Sequence, residues 1–233
     1  MRVFAISDLH LSGRQDKAMD VFGEKWINHF EKIKNDWLEK VNADDIVLIS
    51  GDISWAMSFE DGLFDLKRIA ELPGKKVFIK GNHDYWWQGI TTLRRSAPDD
   101  TFYFIQNDCV RIENVVIGGT RGWIVPGSQE YNKENEKIYL RECERLKLVF
   151  SSIKKTVQEG DKLVCMSHFP PFNSKREDNE FTKIFEENKV DCVVYGHLHG
   201  NAGWGYPFEC VKNGVEYRLT SCDLLNFKLT QIF

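Results

Sequence analysis

The sequence predicts an α/β fold, and three observations carry that prediction. Five short apolar runs read as buried β-strands: Arg2 to Ser7, Asp45 to Ser50, Lys76 to Lys80, Lys162 to Met166 and Asp191 to Tyr195. Segments with apolar residues spaced by three and four alternate with them, as helices covering a sheet do. Each run ends in a polar block: Asp8-Leu9-His10, Gly51-Asp52, Gly81-Asn82-His83-Asp84, Ser167-His168 and Gly196-His197-Leu198-His199. Parallel strands gather such blocks at one edge, where open α/β sheets place ligands.

The elements follow in chain order. After the first motif, Val21 to Val41 carries apolar residues at Trp26, Ile27, Phe30, Ile33, Trp37, Leu38 and Val41. That spacing predicts one helix and puts Trp26 and Trp37 in the core. A second helix is predicted from about Phe59 to Leu72, stopped by Pro73-Gly74. Thr101 to Thr120 breaks the alternation, reading as strands Phe102 to Ile105, Cys109 to Ile112 and Val115 to Ile117 with polar turns between them. A third helix is predicted over Lys133 to Val157, with Tyr139, Cys143, Leu146, Phe150, Ile153 and Val157 on one stripe and Gly160 closing it. Tyr206 to Phe233 reads as antiparallel β, with Asn213-Gly214 a hairpin turn. No repeat or linker-like stretch interrupts the chain, so one domain over residues 1–233 is expected.

Composition narrows the class. Hydrophobic residues at 42% and charged residues at 28% are those of a soluble globular chain. The net charge of −4 disfavours an extended nucleic-acid face, which is normally basic. No stretch approaches the ~20 apolar residues of a membrane span. Residues 1–7 run straight into the first motif without the regions of a signal peptide. The six cysteines (Cys109, Cys143, Cys165, Cys192, Cys210 and Cys222) show no CxxC spacing, and several fall on predicted core positions. Reduced thiols in a cytoplasmic protein are expected.

Carboxylates, imidazoles and an amide, with no cysteine among them, suit divalent metals and phosphate esters. Dinuclear hydrolysis needs two cations roughly 3.5–4 Å apart and a carboxylate to bridge them, whose two oxygens can each bind one cation. Water held by such cations becomes a hydroxide nucleophile near neutral pH. Manganese, iron, zinc, cobalt and nickel fit this donor set, and manganese is taken first.

The ordered set Asp-x-His, Gly-Asp, Gly-Asn-His-Asp, a late His and Gly-His-x-His resembles the calcineurin-like metallophosphoesterases, over residues 8–199. The resemblance implies a four-layer αββα sandwich: two mixed β-sheets face to face, with helices outside. It implies that Asp8, His10 and His199 hold one metal, that Asn82, His168 and His197 hold a second, and that Asp52 bridges both. It also implies that His83 binds no metal and assists the leaving group as a general acid. Asp84 is expected to orient a neighbour or cap a turn. His29, in the first predicted helix and outside every motif, is expected at a helix surface or interface.

The expected reaction is hydrolysis of a phosphodiester or nucleotide-like small molecule by attack of a metal-bound hydroxide on phosphorus. A nuclease, a small-molecule phosphomonoesterase and a non-catalytic scaffold remain alternatives. Protein phosphatases of the superfamily continue Gly-Asp with Asp-Arg-Gly, whereas Gly51-Asp52 runs into Ile53-Ser54-Trp55. Repair nucleases usually append a DNA-capping domain, and lipid-precursor pyrophosphatases typically lack the His of the Gly-Asn-His-Asp block. Trp55, Trp86, Trp87, Trp123 and Trp204 neighbour the motifs, so some should line the cleft, with Trp55, Trp86 and Trp123 the substrate-binding candidates. Arg121, in a glycine-rich turn, is a candidate for a substrate phosphate or a surface salt bridge. Arg14 and Ser12 are weaker candidates. A small-molecule phosphoester is the expected partner, with nucleic acid not favoured and no membrane.

Overall fold

The computed structural model describes residues 1–14, 19–200, 205–207 and 209–233. Trp204 lies outside the described residues. The first sheet contains β1 (Val3–Ile6), β2 (Ile46–Ile49), β3 (Lys75–Phe78) and β4 (Phe102–Phe104), all parallel, with β11 (Thr230–Gln231) antiparallel beside β1. The second runs β5 (Cys109–Ile112), β6 (Val115–Thr120), β7 (Lys162–Ser167), β8 (Cys192–Tyr195), β10 (Val215–Leu219) and β9 (Glu209–Lys212). Its four inner strands are parallel, and β5 and β9 are antiparallel edges.

Alternation along the strands builds the layers. Val3, Ala5, Ile46, Leu48 and Val77 of the first sheet pack with Ile117, Val164, Met166, Cys192 and Val194 of the second, forming a core between the sheets. The intervening residues Phe4, Ile6, Val47, Ile49 and Phe78 face the opposite way, with α1 (His29–Lys40) and α2 (Phe59–Ala70) packed on them. Val116, Cys165, Val193 and Tyr195 do the same under α4 (Lys133–Thr156) and α5 (Glu180–Glu187). A strand buried on both faces reads as one apolar run, which is why these strands were visible in the sequence. The result is the four-layer αββα sandwich with two mixed sheets.

Three local expectations differ from the structure. The helix predicted from Val21 to Val41 begins only at His29, preceded by short 3₁₀ turns at Met19–Phe22 and Glu24–Trp26. Gly23 (φ 117°) and Asn28 (φ 52°) break the continuous helix between them, and Leu38 of the expected stripe is exposed. The three strands after Thr101 divide between the sheets, β4 ending the first and β5 beginning the second. The tail forms the β9–β10 hairpin at Asn213-Gly214, both at positive φ, and then returns to the first sheet as β11. Two helices went unpredicted: α3 (Ile90–Arg95) and α5, whose Asn179 and Thr182 form a capping box.

Candidate metal centre

The polar blocks meet at the carboxyl ends of the parallel strands, on backbone bent sharply to aim them. Asp8, His10, Asp52 and His197 all adopt left-handed φ, at 60°, 46°, 51° and 72°. Such backbone is uncommon outside glycine and costs about 1–3 kcal/mol per residue, a strain that gathers at functional sites. The glycines of the motifs serve close approach. A Cβ on Gly81 would collide with the Asp52 carboxylate and backbone, and one on Gly196 with Ser7 and the Asp8 carboxylate.

Asp8, His10 and His199 form one compact donor group. The His10 and His199 Nε2 atoms are 3.2 Å apart, and His199 Nε2 lies 3.5 Å from Asp8 Oδ1. Asp8 Oδ2 accepts hydrogen bonds from the Ser7 hydroxyl (2.5 Å), the Ser221 hydroxyl (2.9 Å) and the His197 N–H (3.0 Å). Asp223 Oδ1 accepts from His199 Nδ1 at 2.9 Å, turning Nε2 toward the group.

Asp52, His168 and His197 form the second group. His168 Nδ1 donates to the Ser50 carbonyl (2.9 Å), which leaves Nε2 facing inward. Asn82 Oδ1 lies 2.7 Å from His168 Nε2 and 2.9 Å from His197 Nδ1, joining the amide to this group. Asp52 stands between the groups, with Oδ2 3.8 Å from His10 Nε2 and 3.4 Å from His168 Nε2. Its Oδ1 accepts the His83 backbone N–H at 2.8 Å. Asp52 Oδ2 thus faces both groups, while Oδ1 holds the His83 loop.

Charge within the centre is balanced. Burial disfavours ionised Asp8 and Asp52, yet the neighbouring imidazoles outweigh it and hold both carboxyls low, Asp52 at about 2. Burial also opposes charge on His168 and His199, but the carboxylates prevail and push them up to about 9 and about 10. Burial wins at His10 and His197, which fall to about 4 and about 3. Without a cation, protonated His168 and His199 thus neutralise Asp8 and Asp52. Both groups converge acceptor atoms around space a divalent cation fits, one that replaces a proton.

His83 does not join either group. Its ring is half-buried, 4.5 Å from the Trp55 ring and 5.8 Å from the His10 ring between centroids, and burial lowers its pKa. Asp84 is fully buried and accepts from the backbone N–H groups of Gly81, Asp52, Ile53 and Ser54 and from the Trp86 indole. It ties the Gly51-Asp52 and Gly81-Asn82 motif loops together. Burial and nearby Asp52 raise its pKa to about 6.

The aromatic candidates separate. Trp55 stacks on His10 at 4.8 Å and lines a cavity of about 330 Å³ with His83, His10, Trp26, Met19 and Phe22. Trp86 is a correction: it is fully buried in the core under α2 and does not reach the cleft. Trp123 packs at 4.7 Å on Phe169, donates to Asn135 and lies under the Arg121 guanidinium, 4.6 Å from it. Trp87 lines a separate pocket with Arg121. Arg14 faces Glu60 and Asp61 of α2 and Phe64, away from the groups. His29 is buried, its ring nitrogens 2.9 Å and 3.2 Å from the Leu9 and Trp26 carbonyls, so it braces the first motif instead of sitting at a surface.

Sequence reasoning missed Asp223, Ser221, Lys25 and the placement of Trp26. Lys25 pairs with Asp223 at 2.8 Å, and the Trp26 ring lies 6.1 Å from His10 and 6.0 Å from His199. Ser221-Cys222-Asp223 does follow a strand, the same signal the other motifs gave, but in a tail that read only as antiparallel β. All six cysteines are free. Among the described residues, no helix is long and apolar enough to cross a membrane.

Two solved structures share the fold. One is a protein of unknown function, AQ665, from Aquifex aeolicus, at TM-score 0.54 and 14% identity, covering 99% of this chain and 95% of that one. The other is TT1561 of Thermus thermophilus, at TM-score 0.58 and 12% identity, covering 99% and 98%. No curated protein sequence matches the chain. The family model for calcineurin-like phosphoesterases matches residues 1–201, which span every motif of the metal centre. The chain belongs to the calcineurin-like phosphoesterases.

Proposed function

We propose that the protein hydrolyses a phosphodiester or nucleotide-like small molecule in the cytoplasm, with two divalent cations, manganese first among the candidates. The observation that carries this reading is the cavity beside His83. Trp55 and Trp26 wall it, the donor groups form its floor, and Lys25 is on its lining. A flat organic group fits between indoles, and a diester presents such a group on one side of its phosphorus.

Divalent cations held by the two groups supply water activation and charge compensation on the phosphoryl oxygens. The chain's own residues do the rest. Asp84 and the Asp52 carboxylate position the His83 loop through backbone hydrogen bonds. The His83 side chain faces the cavity and, in its protonated imidazolium form, donates a proton to the departing alkoxide. Its Nδ1 is buried without a hydrogen-bond partner among the described residues, so the ring is not committed elsewhere. Trp55, in contact with both His10 and His83, excludes water from one side of the reacting group.

The test uses manganese-reconstituted protein, comparing an activated phosphodiester with the matching monoester while counting metal on the same sample. Two metals per chain and faster diester cleavage are expected. Faster monoester cleavage overturns the diester reading, and bound metal with neither ester cleaved overturns catalysis. His83→Ala should lower turnover of a poor-leaving-group diester about 10²–10⁴-fold with both metals retained. Unchanged turnover would remove His83 from the reaction.

A further inference from the structure

A second pocket, of about 380 Å³, opens at the same edge of the sheets, lined by the residue following β3, by the loops after β3 and β4, by the end of β6 and by α4. Lys80, Arg121, Arg141 and Arg145 line it, with Glu142 the only carboxylate on its wall among the described residues. Both Glu142 oxygens are engaged, one by Arg145 at 2.5 Å and the other by the Thr120 hydroxyl at 2.5 Å. Among the described residues, no carboxylate lies within ion-pair distance of Lys80, Arg121 or Arg141, while Arg145 has its partner in Glu142. Three cations without a direct ion pair among the described residues therefore share one concavity on a chain whose net charge is −4. The Arg121 Nε–H is buried with no acceptor among the described residues, and a buried donor left unmatched in a folded protein points to a missing partner.

The pocket adjoins the metal centre. Lys80 directly precedes Gly81-Asn82, and the Arg121 carbonyl accepts the N–H groups of His168 and Phe169, each at 3.0 Å. Trp123 beneath the Arg121 guanidinium fixes the direction of its donors. A planar fork beside two further cations is the chemistry that recognises a phosphate group, whose several oxygens each take a charge-assisted hydrogen bond. We propose that this pocket binds a phosphate group, either a second phosphate carried by the substrate or the free anion. The substrate source rests on the phosphoester reading above; binding to the pocket does not.

The experiment titrates inorganic pyrophosphate into chelator-treated protein by calorimetry, for wild type, Arg141→Gln, Lys80→Gln and Lys155→Gln. Arg141 is exposed on α4, so its replacement leaves the fold intact, and Lys155 is a distant exposed cation on the same helix. Wild type and Lys155→Gln should bind alike, and the two pocket variants about tenfold more weakly, the loss expected for one hydrogen bond to a charged group. No binding, or equal binding by all four proteins, overturns the proposal.

On manganese-loaded enzyme, an aryl phosphodiester is then compared with the same ester bearing a terminal phosphate. A KM advantage of the phosphorylated ester that Arg141→Gln abolishes assigns the pocket to the substrate. Equal KM values, with rates that inorganic phosphate alters in wild type but not in Arg141→Gln, assign it to the free anion. Neither effect would deny the pocket a functional role. Failure to cleave any ester leaves the chelated titration standing, and failure of the titration leaves the diester assay standing.

Discussion

The two donor groups of the metal centre are built from different parts of the chain and protected to different degrees. His168, in the group with Asp52, Asn82 and His197, is fully buried, and its outer nitrogen is held by the main-chain carbonyl of Ser50 at the end of the adjoining sheet. His199, in the group with Asp8 and His10, keeps 34% of its side chain exposed and is held by Asp223, a side chain from the C-terminal tail. Asp223 in turn pairs with Lys25, in the 3₁₀ segment that walls the aromatic cavity. One group is thus braced by sheet backbone, and the other by side chains that also shape the cleft. Divalent cations should exchange more readily from the Asp8 group, because His199 is partly exposed and held by a side chain where His168 is buried and held by main chain.

Asp52 stands between the two groups and is their proposed bridge, so its substitution should have the largest effect. Asp52→Asn keeps an acceptor for the His83 N–H but removes the bridging charge. Activity should fall on the order of 10³-fold, several kcal/mol of lost charge stabilisation, with metal lost from both groups. Retention of two metals at wild-type affinity would show that Oδ2 does not bridge.

Asp223→Asn bears on the comparison itself. Removing the carboxylate behind His199 should weaken metal binding at the Asp8 group about 10–100-fold, while the His168 group keeps its cation. Stepwise chelator competition measures the two affinities. An equal fall in both would mean that the groups are not independently supported.

Proton release sharpens the same point. His168 and His199 sit at about 9 and about 10 in the cation-free protein, so both carry a proton at neutral pH. Loading both groups at pH 7.5 should release about two protons per chain, and apparent affinity should climb as pH rises toward those values. Asp223 is a main support of the raised His199 value, so Asp223→Asn should release fewer. Calorimetry in buffers of differing ionisation heat counts the protons. The smallest effect lies outside the centre: Asn179→Ala, at the α5 N-terminus, should cost about 1 kcal/mol of stability with metal content unchanged.

Most of the site was legible because its residues cluster within a few positions of strand ends. Asp8, Asp52, Asn82, His168, His197 and His199 each follow a run that reads as a buried strand, so local pattern and placement agreed. Trp26 is in the core as expected, but its helix was misread: helical spacing continued through Glu24–Trp26, and nothing local said that Gly23 and Asn28 would break the helix or that the ring would also line the cavity. Trp86 and Trp55 stand near equivalent motifs in sequence, yet one packs beneath α2 and the other faces the cavity. Only the direction each loop takes separates them.

By itself, the sequence determined the α/β class, the polar strand-end residues and the family, because period, turn chemistry and motif spacing are local properties. The tertiary structure alone decided that a single Asp52 oxygen faces both groups, that Asp223 supports His199, and that Lys80, Arg121 and Arg141 share one pocket. Those juxtapositions join residues far apart in the chain. They arise from the stacking of two sheets and the return of the tail to β1, which no local pattern encodes.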